Sequence, residues 1–134
     1  MDIFFYGLFM DTSILEKNGL RPSNPRKGWL HDYALKIGNR ASLIPSAGQK
    51  SYGMVMTVDD EAAQKLYRAP SVADYIPEEV QVVTDADETI TTICYNLPAE
   101  SLTGTNTAYA KSLLQLAEKL DFPHHYLAHI KQMT

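Results

Sequence analysis

The residues able to do chemistry fall in four places. Asp74, Glu78 and Glu79 are carboxylates close enough in sequence to serve one site, and a carboxylate beside a substrate can take and return a proton. If this stretch is a strand, alternation sends Glu78 and Glu79 to opposite faces, so at most one reaches a given pocket. The competing role for all three is solvated charge at a sheet edge. Tyr75 offers a phenolic hydroxyl to a ligand, or a half-buried ring to the core. Arg40 follows a Gly38-Asn39 turn and can meet a carboxylate through two parallel hydrogen bonds, on a ligand or within the protein. His124, His125 and His129 are the only histidine cluster. Two of them share a face if the segment is helical, but no third ligand or carboxylate partner is evident nearby, so neither a metal nor a cofactor is expected.

The fourth place is the segment around which the chain is organised, Ile3-Phe4-Phe5-Tyr6-Gly7-Leu8-Phe9-Met10-Asp11. Ile3 to Tyr6 is apolar and aromatic, as expected of a strand buried on both faces. Gly7 breaks the strand and lets another group approach the main chain closely. Asp11-Thr12-Ser13 is a helix N-cap signal leading into Ile14-Leu15-Glu16-Lys17. Strand, glycine loop and helix start together leave backbone N–H groups free to receive an anion or a carbonyl oxygen. The plainer reading is a tight turn capping a core strand.

The elements that must position these residues can be read in order. Asn18-Gly19 stops the first helix, and Arg21-Pro22-Ser23-Asn24-Pro25 is a turn-rich connector. Lys27 to Ile37 is a strand, with Gly28 as a candidate bulge. Ala41 to Pro45 is a short edge or irregular strand, Ser46 to Lys50 a polar loop, and Ser51 to Val58 a central strand. Asp59-Asp60-Glu61 opens a helix that Pro70 ends. Tyr75 to Val83, with Pro77 as a bulge or edge signal, pairs with Thr89 to Asn96 across an acidic turn. Thr107 to Leu120 carries the clearest helical stripe, and His124 to Met133 closes the chain as a short helix. Strands predominate, which implies an α+β class: a strongly curved mixed sheet or small mixed β-barrel with attached helices.

Composition bounds the function. The 134 residues suit one domain spanning 1–134 with a single core. The net charge is -4, which argues against nucleic acid as a partner, because phosphate-backbone binding needs a basic patch. No apolar run approaches the roughly 20 residues of a membrane helix, and the N-terminus lacks a secretory pattern. No membrane association is expected. Cys94 is the only cysteine and reads as a small core residue, so a reducing cytoplasm is the simplest location. The oligomeric state is not legible.

Several features in order resemble the gamma-glutamylcyclotransferase-like superfamily. Phe5-Tyr6-Gly7-Leu8-Phe9-Met10 stands where members have an aromatic strand running into a Tyr-Gly-Ser or Tyr-Gly-Thr loop. Asn39-Arg40, then Ala41-Ser42-Leu43-Ile44-Pro45 and Gly48, is similar to their asparagine-arginine stretch and Ala-x-Ile-x-Pro segment. Gly53-Met54-Val55-Met56-Thr57-Val58 matches their Gly-x-Val-x-x-Val strand, and Leu116 to Leu127 their closing Leu-x-x-Leu-x-Phe-Pro-x-x-Tyr-Leu pattern. The likeness spans almost the whole chain, and the order carries more weight than any one motif.

The resemblance implies a gamma-glutamylcyclotransferase-like α+β barrel. It implies a pocket at the first loop whose backbone N–H groups hold a γ-glutamyl part, and hence a small-molecule ligand of γ-glutamyl or amide type. It also implies a glutamate in a Leu-Asp-x-x-Glu-Gly turn, which moves the proton as the substrate's α-amine attacks its own side-chain carbonyl and 5-oxoproline leaves. Tyr6, Gly7, Leu8, Phe9, Met10, Arg40 and Tyr75 are the expected substrate-binding residues. The chain departs from the pattern at Leu66-Tyr67-Arg68-Ala69-Pro70-Ser71. Pro70 stands for the glutamate, Tyr67 for the aspartate and Ser71 for the glycine, while Leu8 replaces the loop serine. Proline carries no proton, so the transferase or lyase chemistry requires a relocated carboxylate. Asp74, Glu78 and Glu79 are the catalytic candidates, and loss of activity with a retained pocket, or a protein-interaction role, is the alternative.

Overall fold

A computed structural model describes residues 1–134. Five strands close into a barrel: β1 (Asp2–Phe5), β2 (Ser23–Ile37), β3 (Ala41–Thr57), β4 (Ile76–Thr84) and β5 (Thr89–Asn96). Around the barrel the order is β1-β3-β2-β4-β5. All neighbours run antiparallel except β1 and β5, which join in parallel at Ile3 and Ile93 and seal the barrel. Four helices pack onto it: α1 (Thr12–Lys17), α2 (Asp60–Leu66), α3 (Thr107–Lys119) and α4 (His124–Lys131). The expected α+β barrel is the one formed. No helix is long and apolar enough to cross a membrane.

Burial explains the first strand. Ile3, Phe4 and Phe5 are at most 2% exposed, so β1 lies between barrel interior and covering helices and reads as continuous apolar sequence. Asp11 caps α1 by accepting from the Ser13 N–H, and Asn106 caps α3 by accepting from the Tyr109 N–H. Ala110, Leu113 and Ala117 of α3 and Tyr126 and Ile130 of α4 supply the buried helix stripes. Lys27 on β2 donates to the Leu120 carbonyl (2.8 Å), placing a cation at the negative end of α3. Cys94 is fully buried, and burial pushes its thiol pKa well up.

The structure corrects several boundaries. Ala41 to Thr57 is one strand of 17 residues, where the sequence suggested a short strand, a loop and a second strand. The Ser46–Gln49 stretch is accommodated by a register shift between His31/Lys50 and Tyr33/Pro45. It is held there because Gly48 N–H donates to Asp32 (2.9 Å), with Asp32 at positive φ. The connector Ser23–Pro25 belongs to β2, irregularly paired. Gly28 is not a bulge: it pairs with Gly53 on one side and Thr84 on the other. A Cβ there would come within 2.7 Å of Val82 and 2.9 Å of the Val83 carbonyl, so the glycine permits close strand approach. Pro77 pairs with Tyr95 without a bulge and sits on the half of β4 that β2 does not reach, as an edge position allows. Helix α2 stops at Leu66, four residues before Pro70.

Candidate functional site

A cavity of about 380 Å³ opens where β1 runs out of the barrel. Such a volume lies in the range of small-molecule sites. Three segments converge on it: the loop Tyr6–Phe9, the turn between α2 and β4, and the β2–β3 turn with Arg40. Tyr109 on α3 closes the fourth side. Of the 17 lining residues 12 are hydrophobic, and five are tyrosines: Tyr6, Tyr67, Tyr75, Tyr95 and Tyr109. No aspartate or glutamate is among them.

The loop is held rigidly. Tyr6 hydroxyl donates to the Tyr95 carbonyl (2.7 Å), tying the end of β1 to β5. Met10 N–H donates to the Gly7 carbonyl (3.0 Å), closing the short 3₁₀ turn Leu8–Met10. Leu8 N–H donates to the Tyr109 hydroxyl (3.3 Å). Gly7 has a φ of -109°, open to any residue, so its conformation does not call for glycine. The approach of Tyr109 does: a Cβ on Gly7 would collide with its hydroxyl. The close neighbour expected of a ligand is therefore a residue of α3. The Gly7 and Phe9 N–H groups donate to no backbone carbonyl or side chain, and both residues line the cavity.

The opposing wall is aromatic. Tyr67 and Tyr95 stack with ring centroids 3.6 Å apart and planes 8° apart. Phe9 meets Tyr67 edge to face at 6.1 Å, and Phe5 meets Phe9 likewise at 6.3 Å. Tyr75 hydroxyl donates to the Ala41 carbonyl (2.6 Å). Arg40 lies over the Tyr75 ring, 5.6 Å from its centroid. Burial raises the phenol pKa of Tyr6, Tyr67, Tyr95 and Tyr109, and pushes that of Tyr75 up to about 12. At neutral pH these hydroxyls stay protonated and none serves as a base.

The expected residues divide. Tyr6, Gly7, Leu8, Phe9, Arg40 and Tyr75 line the cavity together, whereas Met10 points into the core at 4% exposure. Asp74 lies outside, bound by both arms of the Arg40 fork (2.6 and 2.7 Å). That geometry holds its carboxyl below the usual range, chiefly through the hydrogen bonds from Arg40. Arg40 is therefore engaged in the structural ion pair that the sequence left open. Glu78 shares the face of the buried Val80 and Val82, yet is exposed and accepts from the Tyr33 hydroxyl (3.1 Å). Glu79 is exposed on the other face. Neither glutamate lines the cavity. Pro70 is exposed, while its neighbours Ser71 and Val72 reach the rim.

Sequence reasoning missed Tyr67, Tyr95 and Tyr109. In the sequence Tyr67 completes the helical spacing of Ala62, Ala63 and Leu66 and stands for the aspartate, Tyr95 is a strand residue, and Tyr109 belongs to the start of a helix. A signal existed: each ends or begins an element, where a ring can turn toward a barrel mouth. His125 and His129 lie elsewhere, lining a second hollow between β2, β3 and α4, where His129 Nε2 is 2.8 Å from the Leu35 carbonyl.

The family model of the AIG2-like family matches residues 50–130, more than half the chain. No curated protein sequence matches significantly. Among solved structures, a gamma-glutamyl cyclotransferase superposes with a TM-score of 0.77 at 20% identity, covering 100% of this chain and 88% of its own. An uncharacterized protein from Homo sapiens gives 0.77 at 20% identity over 99% of this chain and 87% of its own. A gamma-glutamyl cyclotransferase from yeast, specific to glutathione, gives 0.70 at 14% identity over 99% and 94%. At these identities the likeness establishes the fold.

Proposed function

The chain belongs to the AIG2-like family, within the gamma-glutamylcyclotransferase-like superfamily, and from that premise we propose that it binds a small molecule at the loop after β1 without running the 5-oxoproline-releasing reaction. One observation carries this reading: a cavity of small-molecule size stands at that loop and no carboxylate lines it. A general base must come within hydrogen-bond reach of the proton it moves. Asp74 is committed to Arg40, Glu78 to Tyr33, and the cavity phenols hold their protons. Pro70 supplies none. What remains is a receiving loop with backbone donors and an aromatic wall that excludes water.

A second reading, an enzyme with a relocated carboxylate, rests on Glu78. It shares the inward face of β4, and breaking its bond to Tyr33 would free it. The test is 5-oxoproline release from a panel of γ-glutamyl amines and dipeptides at high enzyme concentration. Release no greater than that of a Gly7→Val control is the expected result. Turnover that Glu78→Gln reduces by about 10²-fold or more would replace the proposed reading with the second.

A further inference from the structure

The charges and ring faces at the cavity define what it can hold. An ammonium group taken out of water is costly unless a counter-charge stands beside it, and among side chains a carboxylate supplies one. The cavity lining has no carboxylate. Its one formal charge is the cation Arg40, which Asp74 neutralises from outside. Three ring faces are also engaged. Tyr67 and Tyr95 cover each other, and the Tyr75 face already carries the Arg40 guanidinium. Those faces are withdrawn from a ligand's cation, and the lining offers it no counter-charge.

Hydrogen-bond donors are on offer at the loop and at the rim. Gly7 and Phe9 keep unengaged N–H groups. At the rim, the Asn39 side-chain oxygen accepts from Thr103 N–H (3.3 Å), which leaves its NH₂ as the free end. The Tyr109 hydroxyl shows what suits the loop, because an oxygen placed there accepts from Leu8 N–H. Donors set in apolar walls select a carbonyl or carboxylate oxygen on an apolar body.

We propose that the cavity selects an apolar acyl compound, one presenting an amide or carboxylate oxygen to the Gly7–Phe9 loop and an aromatic or branched body to the tyrosine wall, and that it rejects the same compound bearing a free ammonium. This rests on the small-molecule reading above and sharpens it. It also makes the lack of a proton carrier coherent, since a ligand with a blocked amine has no nucleophile to activate.

Two matched pairs test the selection: γ-glutamyl anilide against its N-acetyl derivative, and phenylalaninamide against N-acetylphenylalaninamide. Affinities come from calorimetry, and position from the amide resonances of Gly7, Leu8 and Phe9. The N-acetyl member of each pair is expected to bind at least about tenfold more tightly and to shift the loop resonances. Equal or tighter binding of the free amines at those resonances would overturn the selection and leave the binding site standing. Failure of all four compounds to bind would overturn both.

Discussion

The two segments that face each other across the cavity are built differently. The Tyr6–Met10 loop is fixed from three directions, by Tyr6 to β5, by its own 3₁₀ turn and by Tyr109 of α3. The Tyr67–Tyr75 turn opposite presents rings inward and polar groups outward. Its carboxylate Asp74 pairs with Arg40 at the rim, and Pro70 faces solvent. On the proposed reading, the first segment receives an oxygen and the second covers the ligand. The contrast teaches that the two walls of the cavity are separate pieces of chain, one fixed by hydrogen bonds and the other by stacked rings, so each can change without the other.

Substitution at Gly7 should have the largest effect. Gly7→Val forces a side chain into the Tyr109 hydroxyl, and overpacking of this kind costs about 1–3 kcal/mol. Thermal unfolding should register that loss, and calorimetry should show the N-acetyl ligands no longer binding. The matching change on the other segment, Pro70→Ala, should stay within about 0.5 kcal/mol, because the site is exposed. Equal effects at the two positions would erase the comparison.

Tyr109→Phe should have a smaller effect. It removes the acceptor for Leu8 N–H, a loss on the order of 1 kcal/mol. Faster hydrogen exchange at Leu8, with the Met10 amide unaffected, would locate the change in the loop. Exchange unchanged at Leu8 would show that Tyr109 does not hold it.

Legibility followed the range of the interactions. The first strand, the α1 cap, the β5 limits and the α3 stripe depend on neighbouring residues and were readable as such. The long β3 was not, because the features that suggested a loop at Ser46–Lys50 are reconciled with pairing only by Asp32 across the ladder. At the site, the Tyr6–Phe9 loop and the positions of Arg40 and Tyr75 were legible from motif order. The partners of Arg40 and Glu78 were not, since each bond joins residues 34 or more apart in sequence. Strand alternation put one glutamate on the inward face, and Glu78 does share it. What alternation could not show is that β2 leaves that half of β4 open to solvent, so an inward position is not a buried one.

The smallest expected effect concerns the rim pair and depends on pH. Arg40 holds the Asp74 carboxyl below its ordinary value, so the folded state favours the ionised form. The stabilisation is then complete above the unfolded carboxylate value, about 3.9, and is lost as pH falls through the lower folded value. Asp2 and Asp11 are lowered too, chiefly by hydrogen bonds from Thr57 and Ser13, so wild-type acid sensitivity below about pH 4 has several sources. Subtracting the Asp74→Asn profile isolates the pair. The variant's unfolding temperature should differ little from wild type in high salt, where an exposed pair is screened, and should fall less steeply below about pH 4 in low salt. A turn held mainly by its rings, through the Tyr67–Tyr95 stack and the bond from Tyr75 to Ala41, needs no more than this from its charges. A large destabilisation at neutral pH and high salt would mean that the ion pair, rather than the aromatic wall, seats the turn over the cavity.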